Sequence, residues 1–187
     1  MILPKSFYAR SSLVVAPELL GKEIVRKTSF GKVGGIITEV EAYQGHLDPA
    51  SHAFRGVTPR NEVMFGDGGV AYVYFIYGMY FCLNVVTGMA GSASAVLIRS
   101  LLPTTSKGLL FGRIPAEKVD TCMSGPGKLC KVLEIDRSLN GASFQGPEIA
   151  IRDIGIRVPK KEIQKTSRIG IRTATEKLWR FVWAGEM

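Results

Sequence analysis

Apolar and polar positions along this chain alternate with period two in short runs bounded by Gly, Pro, Asn and Ser, the pattern of strands joined by turns. Residues 22–28 and 33–43 read as two strands turning at Ser29-Phe30-Gly31-Lys32. Residues 70–86 (VAYVYFIYGMYFCLNVV) read as a hairpin turning near Tyr77 and Gly78. After a flexible GMAGSAS turn, ASAVLIRSLLP is an apolar strand ending near Arg99, and EIAIRDIGIRV and RIGIR are predicted strands separated by the basic PKKEIQKTS. Helical signals are fewer. Ser11 and Ser12 can cap a short helix carrying Leu13, Val14, Leu19 and Leu20 and stopped by Gly21, with Pro17 confined to its first turn unless the helix starts after Ser12. In SGPGKLCKVLEI, Ser124 can cap, Pro126 suits the first turn, and Leu129, Val132 and Leu133 face inward. Residues 103–123, with Pro103, Gly108, Gly112 and Pro115, read as a loop with at most a short helix at 116–119. Strands interleaved with a few helices predict an α+β domain around a mostly antiparallel sheet, residues 1–187 forming one unit.

Composition narrows the picture. A chain of 187 residues that is 46% hydrophobic can build one substantial core. Lys5 and Arg10 are followed by no continuous apolar block, so neither a signal peptide nor an anchor is expected, and the apolar hairpin is too short, too rich in strand formers and too polar at Asn84 for a membrane helix. Cys82, Cys122 and Cys130 are odd in number and lack C-x-x-C spacing, which argues against a disulfide framework and a zinc clip. The expectation is a soluble intracellular protein, cytoplasmic or associated with the nucleoid. The formal net charge of +8 and pI near 9.5 favour polyanions. From Ile151 onward, nine basic residues (Arg152, Arg157, Lys160, Lys161, Lys165, Arg168, Arg172, Lys177, Arg180) stand against Asp153, Glu162, Glu176 and Glu186, an uneven distribution expected of a nucleic-acid footprint.

Candidate chemistry gathers around the hairpin. Six of the ten residues from 72 to 81 are aromatic, four of them tyrosines. Buried tyrosine hydroxyls need partners, so this density suits aromatic faces meeting something flat and partly wet, as nucleic-acid bases are, or else a half-buried amphipathic hairpin. In IITEVEAY, alternation puts Ile37, Glu39 and Glu41 on one face and Thr38, Val40 and Ala42 on the other. Tyr43 and a loop with both histidines, His46 and His52, follow, together with Asp48 and Arg55. Glu39, Glu41, His46, Asp48 and His52 contain metal-ligand types, but their spacing matches no compact metal motif. Arg99 needs a carboxylate partner, and a glutamate is the obvious one. SGPGK lacks the full phosphate-loop spacing, although Lys128 at a helix start could hold a DNA phosphate.

With EAYQG, SHAFRG-x-TPRN, YVYFIYGMYFCLN, LIRS, SGPGKLC and RIGIR in this order, nearly the whole chain resembles the alkyladenine (3-methyladenine) DNA glycosylase family. The resemblance implies a compact domain on a curved antiparallel sheet with a protruding aromatic hairpin. It implies that Glu41 activates the hydrolytic water, held also by Arg99 and the main-chain carbonyl of Ile169. Tyr43, His52 and Tyr74 would wall a pocket for a flipped base, with Asn84 at its floor, and Tyr77 would enter the DNA stack. Glu39 receives no catalytic role. Val57 and Gly45-His46-Leu47 depart from the family pattern, which bears on loop conformation and DNA grip rather than on the chemistry.

The implied activity is base-excision repair: a monofunctional, metal-free and cofactor-free hydrolysis of damaged purines from double-stranded DNA by a monomer that needs no membrane. An alkylated purine is already cationic and leaves without a strong acid, so a single carboxylate suffices. Cation–π attraction from Tyr43, Tyr74 and His52 would favour such bases. Two other readings use the same residues. A non-catalytic nucleic-acid-binding module would employ the tyrosines and basic tail but gives no reason for Glu41 beside Tyr43 and Arg99. A metal-dependent hydrolase would use His46, Asp48 and His52.

Overall fold

The computed structural model describes residues 1–105, 107–110 and 114–185. Its strands are β1 (Glu23–Thr28), β2 (Gly31–Gln44), β3 (Ala71–Ile76), β4 (Tyr80–Thr87), β5 (Ser94–Pro103), β6 (Ile149–Arg152), β7 (Ile163–Thr166) and β8 (Arg180–Trp183). All pairings are antiparallel, in the order β3-β4-β5-β2-β1-β6, with β8 added to β2 and β7 to β8. The sheet curls into a half-barrel. The α-helices are α1 (Lys5–Tyr8), α2 (Ser12–Leu19), α3 (Lys107–Leu110) and α4 (Pro126–Val132). This is the predicted α+β architecture. Among the described residues no helix is long and apolar enough to cross a membrane.

The long strand β2 organises the sheet. One edge pairs with β5 along most of its length, while the other pairs first with β1 and then, from Glu39, with β8. At this fork the β2–β5 ladder slips twice: Ile37 faces Leu101, Glu39 faces Ser100 and Val40 faces Ile98, leaving Thr38 and Arg99 as extra residues on opposite strands. Each bulge reverses the alternation of its strand. Ile37, Val40 and Ala42 therefore all enter the core, as do Leu101 and Ile98, while Glu39 and Glu41 turn to the other side. The expectation that Ile37 shares a face with the two glutamates fails for this reason, and Arg99 lies in the middle of β5 rather than at its end.

Other departures are equally local. Ser11 caps α2 through the Leu13 amide at 3.3 Å, but the helix begins at Ser12 and runs through Pro17. The hydrogen bond that proline forfeits is outweighed by packing of Val15, Ala16 and Leu19 into the main core beside β2. The N-cap of α4 is Gly125 at φ 121° rather than Ser124; Leu129, Cys130 and Leu133 are buried. In 103–123 the expected short helix is a 3-10 segment, Ala116–Thr121, and α3 was not anticipated; Gly112 lies outside the described residues. RIGIR is no strand. Arg168 is buried, the Ile169 amide is drawn to Glu41 and Gly170 sits at φ 77°, so the regular strand is instead IQKT, in the stretch read as a basic separator. The run EIAIRDIGIRV is strand only over β6. All three cysteines are free.

Candidate active site

The aromatic hairpin reaches its turn at Tyr77 and Gly78, both at positive φ (54° and 68°), with the Met79 amide donating to the Ile76 carbonyl at 3.3 Å. Gly78 adopts this conformation freely; Tyr77 bears strain in doing so, and its side chain stands 79% exposed at the tip. Phe75, Met79 and Tyr80 around it are also exposed. Behind the tip, alternation sorts the two strands. Ala71, Val73, Leu83 and Val85 enter the core, while Tyr72, Tyr74, Ile76, Tyr80, Cys82 and Asn84 line a cavity of about 630 Å³. Leu97 and Arg99 of β5 and Tyr43 of β2 continue this wall, and two loops supply His52, Ile169 and Arg172.

Glu41 lies beside this cavity with a completely buried side chain. One carboxylate oxygen accepts the Ile169 amide at 2.7 Å and faces the Arg99 guanidinium at 3.3 Å; the other accepts the Tyr43 hydroxyl at 2.9 Å. Loss of water raises its pKa, and Arg99, the Ile169 amide and Tyr43 offset that only in part. Glu39, two residues earlier, goes the other way. Burial pushes its carboxyl up too, but hydrogen bonds from Arg180 (2.6 Å) and Arg99 (2.7 Å) outweigh it and hold the pKa below the ordinary value. Two carboxylates on one face are thus shifted in opposite directions: Glu39 is held ionised against Arg99 and Arg180, while burial favours the protonated form of Glu41.

His52 is held by the hairpin. Its Nδ1 lies 2.9 Å from the Tyr72 hydroxyl, and its ring meets Tyr74 edge to face with centroids 4.6 Å apart. Because they touch, His52 and Tyr74 form one wall together with Tyr72 and cannot sandwich a base between them. Asn61, almost fully buried, fixes the His52 loop by donating to the carbonyls of His52 (2.8 Å) and Gly56 (3.0 Å) and accepting the Thr58 amide (2.6 Å). Asn84, which lines the cavity, donates to the Tyr72 carbonyl at 3.1 Å.

Sequence reasoning missed two arginines. Arg168 is completely buried, binds both oxygens of the equally buried Asp48, donates to the Ala42 carbonyl at 3.0 Å, and lies between the rings of Tyr43 and Trp179. Arg60 lies over the Tyr74 ring at 5.2 Å. Four of the nine basic residues of the expected footprint, Arg152, Arg157, Arg168 and Arg180, hold carboxylates of the protein itself, and Lys177 donates to the Leu47 carbonyl; Lys160, Lys161, Lys165 and Arg172 are exposed without a carboxylate partner among the described residues. Asp48 is taken by Arg168, and among the described residues no three His, Cys, Asp or Glu side chains converge as metal ligands would.

A family profile described as methylpurine-DNA glycosylase matches residues 6–187. Among curated relatives, a protein of Rhodopseudomonas palustris (strain BisB18) is 48% identical over 96% of this chain and 86% of its own length. One of Ehrlichia chaffeensis is 47% identical over 97% and 92%, and one of Carboxydothermus hydrogenoformans 45% identical over 97% and 94%. All three are named for 3-methyladenine DNA glycosylase activity. With a match this extensive, joined to an aromatic cavity beside a buried carboxylate, the chain belongs to the methylpurine-DNA glycosylase family.

Proposed function

We propose that this DNA glycosylase acts as a monomer on duplex DNA inside the cell, receives a flipped alkylated or deaminated purine in the hairpin-lined cavity, and hydrolyses its N-glycosidic bond with a water activated by Glu41. The observation that carries this reading is the Glu41 carboxylate: fully buried, its pKa raised, and held by Arg99, the Ile169 amide and the Tyr43 hydroxyl, three residues that themselves line the aromatic cavity. The water oxygen bonds to the anomeric carbon while Glu41 takes its proton. The glycosidic electron pair leaves with the purine, and a cationic purine departs neutral. Arg99 and the Ile169 carbonyl steady the water. Tyr77 fills the vacated stack, offsetting part of the few kcal/mol, in order of magnitude, that unstacking costs.

The direct test incubates purified protein with alkylated duplex DNA in EDTA. Released 3-methyladenine and an otherwise intact abasic strand are expected, without a borohydride-stable protein–DNA adduct, because water and not an amine is the nucleophile. Loss of release on chelation would point to metal hydrolysis instead, and tight binding without any release to a non-catalytic module.

Tyr77→Ala is expected to weaken binding to lesion duplex at least about tenfold while leaving single-stranded lesion binding nearly unchanged, since base stacking on an aromatic is worth roughly 1–3 kcal/mol. Equal losses on both substrates would make Tyr77 a packing residue. Asn84→Ser is expected to raise release of 7-methylguanine relative to hypoxanthine, because a side chain lining the cavity can clash with the exocyclic amine that guanine carries and adenine lacks. A lower melting temperature with that ratio unchanged would reduce Asn84 to its bond with the Tyr72 carbonyl.

A further inference from the structure

The aromatic walls of the cavity are already engaged by cations from elsewhere in the protein. The Arg168 guanidinium lies 4.6 Å from the Tyr43 ring centroid and that of Arg60 5.2 Å from Tyr74, and neither arginine lines the cavity itself. The two differ in charge balance. Arg168 is neutralised by Asp48, whereas Arg60 has no carboxylate partner among the described residues. The charge of Arg60 also reaches Tyr72, which in turn meets His52 at 2.9 Å. It therefore reaches, directly or through one ring, all three members of the His52–Tyr72–Tyr74 wall.

We propose that Arg60, through its charge behind the Tyr74 ring, is a specificity-determining residue that biases the cavity toward neutral purine lesions over cationic ones. The proposal rests on the reading that the cavity receives a flipped purine. An aromatic ring attracts a cation through its electron-rich face, and a second cation brought to the same ring meets both the repulsion of the first and π density already drawn toward it. A base stacked about 3.5 Å from Tyr74 would lie roughly 9 Å from the guanidinium, close to the screening length at physiological salt, with part of the screening water displaced.

The state of His52 follows from the same neighbours. The titratable groups around it are the Tyr72 and Tyr74 hydroxyls of β3 and Arg60, with Cys82 of β4 beyond Tyr74. Crowding by these side chains and then the charge of Arg60 push its pKa down to about 4, although part of the ring stays open to solvent. His52 is thus neutral at physiological pH and adds no further positive charge opposite a cationic base. What weakens the cation–π selectivity that the resemblance implied is therefore the charge of Arg60 behind the Tyr74 ring.

The test uses Arg60→Gln and Arg60→Lys in the full chain. Arg60→Gln is expected to raise the ratio of 7-methylguanine release (cationic in DNA) to hypoxanthine release (neutral) about three- to tenfold, whereas Arg60→Lys, which keeps the charge, stays near wild type. Because the chain has only two histidines, NMR titration reads His52 directly: its pKa is expected to move up in Arg60→Gln. An unchanged release ratio in an active Arg60→Gln protein, a His52 titration that does not move, or Arg60→Lys behaving like Arg60→Gln overturns the proposal. A wild-type protein that releases neither base overturns the proposed function instead, and the NMR arm still reports on Arg60.

Discussion

Glu41→Gln is expected to bind lesion duplex about as well as wild type while base release falls by about 10²- to 10⁴-fold, the range for removing a positioned general base. The amide keeps the shape of the carboxylate and can still accept the Ile169 amide, but it cannot take a proton from water. A second consequence runs in the opposite direction. The folded-state pKa of Glu41 is raised, so folding favours its protonated form, and the ionised form costs stability that grows as pH rises from the unfolded pKa through the folded one. A glutamine carries no such cost. The variant should therefore melt a few degrees above wild type, in order of magnitude, near pH 8, with the gap closing as pH falls below the ordinary glutamate value. Calorimetry at several pH values checks this. A variant that turns over normally, or that is destabilised most at high pH, would remove Glu41 from the role given to it.

The largest loss of stability is expected at the Asp48–Arg168 pair. Both side chains are fully buried, and Asp48 also accepts the amides of Gln44 (3.3 Å) and Ala50 (3.1 Å). Removing one member strands the other charge without water, which costs about 3–5 kcal/mol. For a chain of this size, Arg168→Gln or Asp48→Asn should lower the melting temperature by roughly 6–20 °C. Activity should fall as well. Arg168 stacks against Tyr43 and directly precedes Ile169, so the pair anchors both the Tyr43 wall and the amide that holds Glu41. A melting temperature within about 2 °C of wild type would show the pair to be replaceable.

These two predictions draw on different levels of organisation. Glu41 was singled out from its place beside Tyr43 and a histidine-bearing loop, and from the resemblance. Its partner Arg99 was expected to need a glutamate; the structure supplies two, Glu39 at 2.7 Å and Glu41 at 3.3 Å. From the sequence Asp48 offers only a metal-ligand type, because nothing near it in the chain announces an arginine 120 residues away. Arg60 belongs by sequence to a loop ending, and its position over Tyr74 depends on how the loop fixed by Asn61 folds back on the hairpin.

What the chain determines by itself is what nearest neighbours decide. Alternation along residues 70–86 marks a hairpin, places Tyr77 and Gly78 at its turn and sends even-numbered residues from Tyr72 to Asn84 to a common face, because side chains on a strand point alternately and only a few backbone conformations close so short a turn. Tertiary contacts decided the rest. The paired bulges at Thr38 and Arg99 arise where β2 exchanges β1 for β8, and they alone turn Glu39 and Glu41 away from the core that Ile37 joins. RIGIR carries the alternation of a strand, yet it is held as a loop by bonds from Arg168 to Asp48 and from Ile169 to Glu41. Burial sets the outcome in both cases. A charged group withdrawn from water must find its partner, and a partner more than a hundred residues distant leaves no trace in local periodicity.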